Sequence, residues 1–192
     1  MKKENRTVWG DVTVKEEVIY NGKKYTRIKG KWVDSNYTTV PNLQKILDKL
    51  FEEQRNPDDF TLEELIAEGD RFKEADNYHL AIKYYVTALE ATQDLKTYRY
   101  VLPKLTSCYR GQGQAKVAIG LFEKLTRQYG GKLHSAPLCT SVGAAYCDIK
   151  EYEKARACAD KAFAMSGGKA SGELNALYGR LRKETTGSGR YE

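Results

Sequence analysis

Cys139 follows His134 by five residues, and a thiol near an imidazole could serve as nucleophile and general base. Such a pair needs a third group to orient the ring, and none stands at a fitting spacing. The four cysteines, Cys108, Cys139, Cys147 and Cys158, contain no C-x-x-C step. With His79 and His134 as the two histidines, they do not make the ligand spacing of a zinc site. Cys139 and Cys147 lie eight residues apart, about 12 Å along a helix, which is too far for a disulfide. Small buried thiols are the reading these positions favour. No glycine-rich loop precedes a Lys-Ser or Lys-Thr pair, so a phosphate-cradling site is not expected either. The chain is read as non-enzymatic, without cofactor or metal.

A second kind of chemistry is offered by Lys23, Lys24, Arg27, Lys29 and Lys31, which alternate with Tyr25 and Trp32. Lys24, Arg27, Lys29 and Lys31 could hold phosphates and Trp32 could stack a base. The competing reading is an edge strand protected from aggregation by lysines. The elements that must carry these residues are strands. Val12, Val14, Val18, Ile19 and Tyr20 lead into Asn21-Gly22, a strong hairpin signal, and Tyr25, Ile28, Trp32 and Val33 follow. Two strands joined by a tight turn are predicted, with Glu16 opposite Arg27 and Glu17 opposite Thr26. That register dilutes the basic face, and a net charge of +6 is modest for a dedicated nucleic-acid binder. An isolated hairpin is marginal in water, so it must gain a third strand, lie on a helix or dock on a partner. Leu43, Ile46, Leu47, Leu50 and Phe51 supply an amphipathic helix, with Asn42 as its expected cap and Asn56-Pro57-Asp58-Asp59 as its end. The N-terminal part thus divides into a basic hairpin segment, 1–41, and a helix with linker, 42–59.

The rest of the chain is periodic. Ala81, Ala118 and Ala155 are separated by equal steps of 37 residues. The same step links Phe72, Tyr109 and Tyr146, then Gly69, Thr106 and Gly143, and Leu65 and Leu102 with Cys139. A fixed period of roughly 20–50 residues marks a solenoid, whose units bury their apolar faces only by stacking. Leu65, Gly69 and Phe72 fall at helical spacing before the polar break Asp76-Asn77, and Ala81, Tyr85 and Ala88 repeat that spacing after it. Each unit is therefore a helical hairpin.

These residues resemble the tetratricopeptide repeat, whose signature is a large apolar residue, a small one and an aromatic, then Ala, aromatic and Ala after the turn. Unit one, from Leu62, matches it in Gly69, Phe72, Ala81, Tyr85 and Ala88. Unit two, 99–132, keeps Leu102, Tyr109, Ala118 and Phe122 but has Thr106 and Leu125 at small positions. Unit three, 136–169, keeps Gly143, Tyr146, Ala155 and Ala162 but has Ala159 for an aromatic. The resemblance covers 62–169 and implies a mainly α solenoid of three repeats behind an N-terminal β-hairpin. The repeat domain is expected over 60–184, with a solvating last helix from about Ser171 to Glu184 carrying Leu174, Leu177, Tyr178 and Leu181, and a flexible tail over 185–192.

Local signals refine this outline. Thr61 and Glu64 form a capping box, Gly111-Gln112-Gly113 ends the first helix of unit two, and Gly69 is expected to face Ala81. The period exceeds the usual 34 residues, and Gln93-Asp94-Leu95-Lys96 and Gly130-Gly131-Lys132 are the connections expected to hold the surplus. Pro103 requires its helix to begin within a few residues of it.

The resemblance places function on the concave groove lined by the first helix of each unit. Family members that grip a terminal carboxylate carry Lys or Asn just after the large apolar and small positions. Here Ile66 and Asp70, Pro103 and Ser107, and Thr140 and Ala144 stand there, so that clamp is absent. With Glu63, Lys73, Tyr100, Arg110 and Cys147 added, the groove reads as acidic at one end and apolar to hydroxylated further on. The implied function is an adaptor or chaperone-like module that binds a protein or peptide through side-chain pockets. The alternative is a nucleic-acid-associated regulator using the basic hairpin, and a homodimer is left open. At 192 residues and 41% hydrophobic content the chain reads as soluble and globular. It has no apolar run near the 18 residues or so of a membrane helix, and Met1–Gly10 is charged, so a cytoplasmic address is expected.

Overall fold

The computed structural model describes residues 16–187, with side chains through residue 184. The chain divides between Asn56 and Pro57 into two compact units.

In the first unit, strands β1 (Glu16–Tyr20), β2 (Lys23–Ile28) and β3 (Lys31–Val33) form an antiparallel sheet in that order. Asn21 and Gly22 both adopt positive φ, as a two-residue turn with right-handed strand twist requires. The register is the expected one, with Glu16 opposite Arg27 and Glu17 opposite Thr26. The expected single second strand is instead two, because Lys29 and Gly30 also take positive φ and reverse the chain again. The extra strand is one of the supports a hairpin needs. Helix α1 (Gln44–Gln54) packs on the sheet and supplies the other. It is entered through a 3-10 turn, Pro41–Leu43, so Asn42 lies inside that turn and the residue at the cap is Leu43. Val18, Tyr25, Trp32 and Leu47 are buried together at the centre of this unit. Val12 and Val14 lie outside the described residues.

The second unit is all helix. Helices α2 (Leu62–Glu74) and α3 (Tyr78–Glu90) form one hairpin, α4 (Leu95–Gly111) and α5 (Ala115–Tyr129) a second, and α6 (Ala136–Asp148) and α7 (Tyr152–Met165) a third. Helix α8 (Gly172–Gly187) packs on α6 and α7. It runs three residues past its expected end, so 185–187 are helical rather than tail, while 188–192 lie outside the described residues. Start signals are met locally. The Glu64 N–H bonds the Thr61 hydroxyl at 3.3 Å while the Thr61 N–H bonds the Glu64 carboxylate at 2.8 Å, closing the capping box. Asp94 and Ser135 cap α4 and α6, and Ser171 accepts from the Leu174 N–H at the start of α8.

The recurring alanines are core residues: Ala81 and Ala155 are fully buried and Ala118 is 2% exposed. Gly69 makes room for a different neighbour than expected. A Cβ added there would lie 2.5 Å from the Tyr85 ring, so it is the aromatic of the second helix, not Ala81, that needs the space. Gly143 does face its hairpin partner, with the Ala155 carbonyl 3.2 Å and the Cys158 Cβ 3.1 Å from where a Cβ would be.

Unit two departs most from expectation. Helix α4 begins at Leu95, eight residues before Pro103, so the proline sits in the helix interior and the Arg99 carbonyl loses its i+4 donor. The early start is held by Asp94 as cap and by Tyr98, which is buried and whose hydroxyl donates to the carbonyls of Leu89 and Thr92 at 3.2 Å each. Burial of Tyr98 and Val101 offsets the proline's cost of about 3 kcal/mol or more. The surplus of the period is therefore partly helical. Leu95 and Lys96 belong to α4, and Gly130–Leu133 forms a 3-10 turn that buries Leu133.

Candidate functional site

Helices α2, α4 and α6 stand side by side as the first helices of the three hairpins, and α8 follows as the next member of the row. Between them lies an open cleft of about 550 Å³. Its wall includes Lys73 from α2, Ser107 and Arg110 from α4, and Thr140 and Ala144 from α6, all residues that the repeat resemblance implied for a groove. Lys73, Arg110 and Ala144 are half-buried, as cleft walls are. Thr140 is buried, and its Oγ1 donates to the Ala136 carbonyl at 2.9 Å within its own helix.

The remaining groove residues lie beside this cleft rather than on its wall. Glu63 is exposed in the first turn of α2, and Ile66 packs against the core. Asp70 does not present the expected acidic end. Its carboxylate accepts from the Tyr85 hydroxyl, from the Tyr100 hydroxyl at 3.1 Å and from Lys104 Nζ at 2.7 Å. Burial pushes the Asp70 carboxyl up, but the bonds from Lys104, Tyr85 and Tyr100 and the ammonium charge outweigh it and hold it below the usual carboxylate range. Tyr100 is half exposed and carries the Lys104 ammonium 3.7 Å from its ring centroid. Cys147 is buried in the core.

Several lining residues escaped the sequence reading. Lys104 lies one turn beyond Tyr100 and one before Ser107, so helical spacing could have found it. Glu173, Leu174, Leu177 and Arg180 come from α8, expected as a solvating cap. Leu174, Leu177 and Leu181 are buried, and an added Cβ on Gly143 would lie 2.8 Å from Leu177, so α8 seats in the row as a fourth wall. Arg180 donates to Asp148 Oδ1 at 2.7 Å, and Arg110 donates to Asp148 Oδ2 at 2.6 Å. One carboxylate thus joins α4, α6 and α8. Burial raises the Asp148 carboxyl, and the two guanidiniums more than reverse that.

The thiol and imidazole considered first are not activated. Burial pushes Cys139 up, and it pushes Cys108 and Cys158 up to about 11. His134 is driven down by burial and by the Lys161 ammonium, which contacts its Nδ1, and its ring stacks on Phe122 at 5.5 Å. An attacking thiolate with an imidazolium partner needs the opposite shifts. Among the described residues no group of three His, Cys, Asp or Glu could hold a metal ion, and no helix is long and apolar enough to cross a membrane.

The basic hairpin is arranged differently from a base-stacking platform. Trp32 is fully buried: its ring meets Phe51 edge-on at 5.7 Å and its Nε1 donates to Asp48 Oδ1 at 2.9 Å. It faces α1 because alternation puts Val18, Tyr25 and Trp32 on one side of the sheet. Arg27 is held there too, by Glu16 at 3.1 Å and Asp48 at 3.6 Å. Lys24 pairs with Glu17 at 2.5 Å, and Lys29 and Lys31 are exposed around the second turn.

No protein-family profile and no curated protein matches the chain. Solved structures do. The Sgt2 TPR domain from Aspergillus fumigatus aligns over 67% of this chain and 82% of its own, with a TM-score of 0.57 and 20% identity. The TPR2AB domain of yeast Sti1, solved in a complex with pHSP90, aligns over 66% of this chain and 48% of its own, with a TM-score of 0.52 and 18% identity. Three helical hairpins with Gly or Thr and Ala at their recurring small positions, and a fourth helix closing the row, therefore give this chain the tetratricopeptide-repeat fold.

Proposed function

We propose that the helical unit is a non-enzymatic protein-interaction module, an adaptor or chaperone-like protein that holds a partner peptide in the cleft between α2, α4, α6 and α8. The observation that carries this reading is the cleft itself. Its wall is drawn from four helices of one row and the segment that leads into α8, with small apolar groups from Ala136, Pro137 and Ala144 beside polar ones. Such a surface suits an extended segment gripped by its side chains. The fold supports the reading by analogy alone, and a cytoplasmic address goes with it as part of the proposal.

The test is selection of a displayed random-peptide library on the full chain, with Ala144→Arg and Ser107→Arg as blocked controls whose folding is checked by circular dichroism. Peptides enriched on the wild type and lost on both folded controls are the expected result. Enrichment of nothing, or of peptides that bind the blocked chains equally well, would overturn the proposal.

A further inference from the structure

We propose that the segment taken by this cleft is acidic, its Asp or Glu side chains facing Lys73 and Lys169 and its small apolar side chains resting on Ala136, Pro137 and Ala144; this rests on the peptide-binding reading above. Five cationic residues line the cleft, Lys73, Lys104, Arg110, Lys169 and Arg180, against the single carboxylate of Glu173. Three of those cations are met by two carboxylates that do not line the cleft. Lys104 is matched by Asp70, while Arg110 and Arg180 share the one carboxylate of Asp148 and so leave a cationic excess. Lys73 and Lys169 enter no ion pair among the described residues. They come from α2 and from the loop before α8, so ammoniums from two separate elements share the wall with Ala136, Pro137 and Ala144.

That placement selects for a particular partner chemistry. Lysine ammoniums are compact point charges that meet carboxylates one for one, and a cleft lined by one sign of charge concentrates a partner of the other sign. A single-stranded nucleic acid would meet the same charge but would want aromatic faces for its bases. The cleft wall contains no aromatic residue. The fork of Lys and Asn that would grip a chain end is also missing at Ile66, Asp70, Pro103, Ser107, Thr140 and Ala144. Recognition therefore falls to internal acidic side chains, and capping the C-terminus of the segment should leave binding unchanged.

The peptide library described above also tests this inference. Peptides that Ala144→Arg loses should be enriched in Asp and Glu. The best of them, made with an amidated C-terminus and a fluorescent label, should bind with an affinity that falls as salt rises. Lys73→Glu and Lys169→Glu should each weaken binding by about 3- to 10-fold, and Lys73→Gln by less, as expected for partly exposed charges. Circular dichroism melts of these variants are the folding control, and each should keep the wild-type transition. Neutral or basic cleft peptides, or indifference to both charge reversals, would overturn the acidic preference while leaving the groove reading intact. A library that yields no cleft-dependent peptide would overturn both. A single-stranded RNA that binds more tightly than the peptide and is lost on the same reversals would replace the acidic partner with a nucleic acid.

Discussion

Lys104 of α4 sets its ammonium 2.7 Å from both carboxylate oxygens of Asp70 in α2, joining the first hairpin to the second across 34 residues of chain. Both side chains are about one quarter exposed, 26% and 27%, so the pair is only partly screened. Asp70→Ala should cost about 1–2 kcal/mol in a urea melt, below the value for a fully buried charge-assisted bond. A double-mutant cycle with Lys104→Met should return a coupling of at least about 0.5 kcal/mol. Strict additivity of the two substitutions would mean the contact contributes nothing to holding the hairpins together.

Acid should loosen the same row of helices. Asp70 and Asp148 both have folded-state carboxyls lowered from 3.8, so the folded state favours their ionised forms. Their stabilisation is fully present above that ordinary value and is lost as pH falls through the lowered ones. Melting temperature measured below about pH 4 should therefore drop less steeply in Asp148→Asn than in the wild type, because one of the titrating contributions is gone. Parallel acid limbs for the two proteins would show that Asp148 is not linked to folding.

Glycines in this unit should respond with opposite signs. Gly69→Ala drives a methyl into the Tyr85 ring and Gly143→Ala drives one toward the Ala155 carbonyl, so each should cost about 1–3 kcal/mol. Gly120 lies inside α5 with nothing within 4 Å of an added Cβ. Gly120→Ala should gain up to about 1 kcal/mol from helix propensity. Thermal melts of the three variants check both directions, and a destabilising Gly120→Ala would be inconsistent with the open space there.

Ala118→Leu tests the middle hairpin. The side chain is buried at the recurring small position, and three extra carbons should cost about 1–3 kcal/mol by overpacking. Chemical denaturation showing no loss would mean that α4 and α5 can part without cost.

The first unit has its own lock. The Gln44 carboxamide accepts from the Trp32 N–H and donates to the Trp32 carbonyl, both at 2.9 Å, so a side chain bonds the backbone of β3 as a neighbouring strand would. Gln44→Ala should leave the Trp32 N–H without this acceptor, while the Trp32 carbonyl keeps the Val40 N–H at 3.2 Å, and cost about 1–3 kcal/mol. Hydrogen exchange resolved by residue should then quicken at Trp32 and Val18 while the amides of α6 keep their protection. Unchanged exchange in the sheet would argue that water replaces Gln44 fully.

Much of this fold was legible because it depends on local rules repeated along the chain. The 37-residue step of Ala81, Ala118 and Ala155, the helical spacing on either side of Asp76-Asn77, the Thr61–Glu64 box and the Asn21-Gly22 turn each act within a few residues of themselves. Those features determined the hairpins, their number and the register of β1 against β2. The second turn at Lys29-Gly30 was hidden because Lys rarely takes positive φ, and only pairing of β3 with β2 makes it worth adopting. Pro103 misled for a similar reason, since its helix is continued by the burial of Tyr98 against the previous hairpin and not by any local preference. At the site, the residues that the repeat resemblance implied, Lys73, Ser107, Arg110, Thr140 and Ala144, line one cleft. What the resemblance could not determine was the sign of the charge there. Asp70 is answered by Lys104 and Arg110 by Asp148, each from a different helix, and Arg180 and Lys169 arrive from beyond the last repeat. Charges act through space over several ångströms, so only the packing of the helices decided which of these charges meet a carboxylate and which, like Lys73 and Lys169, enter no ion pair among the described residues.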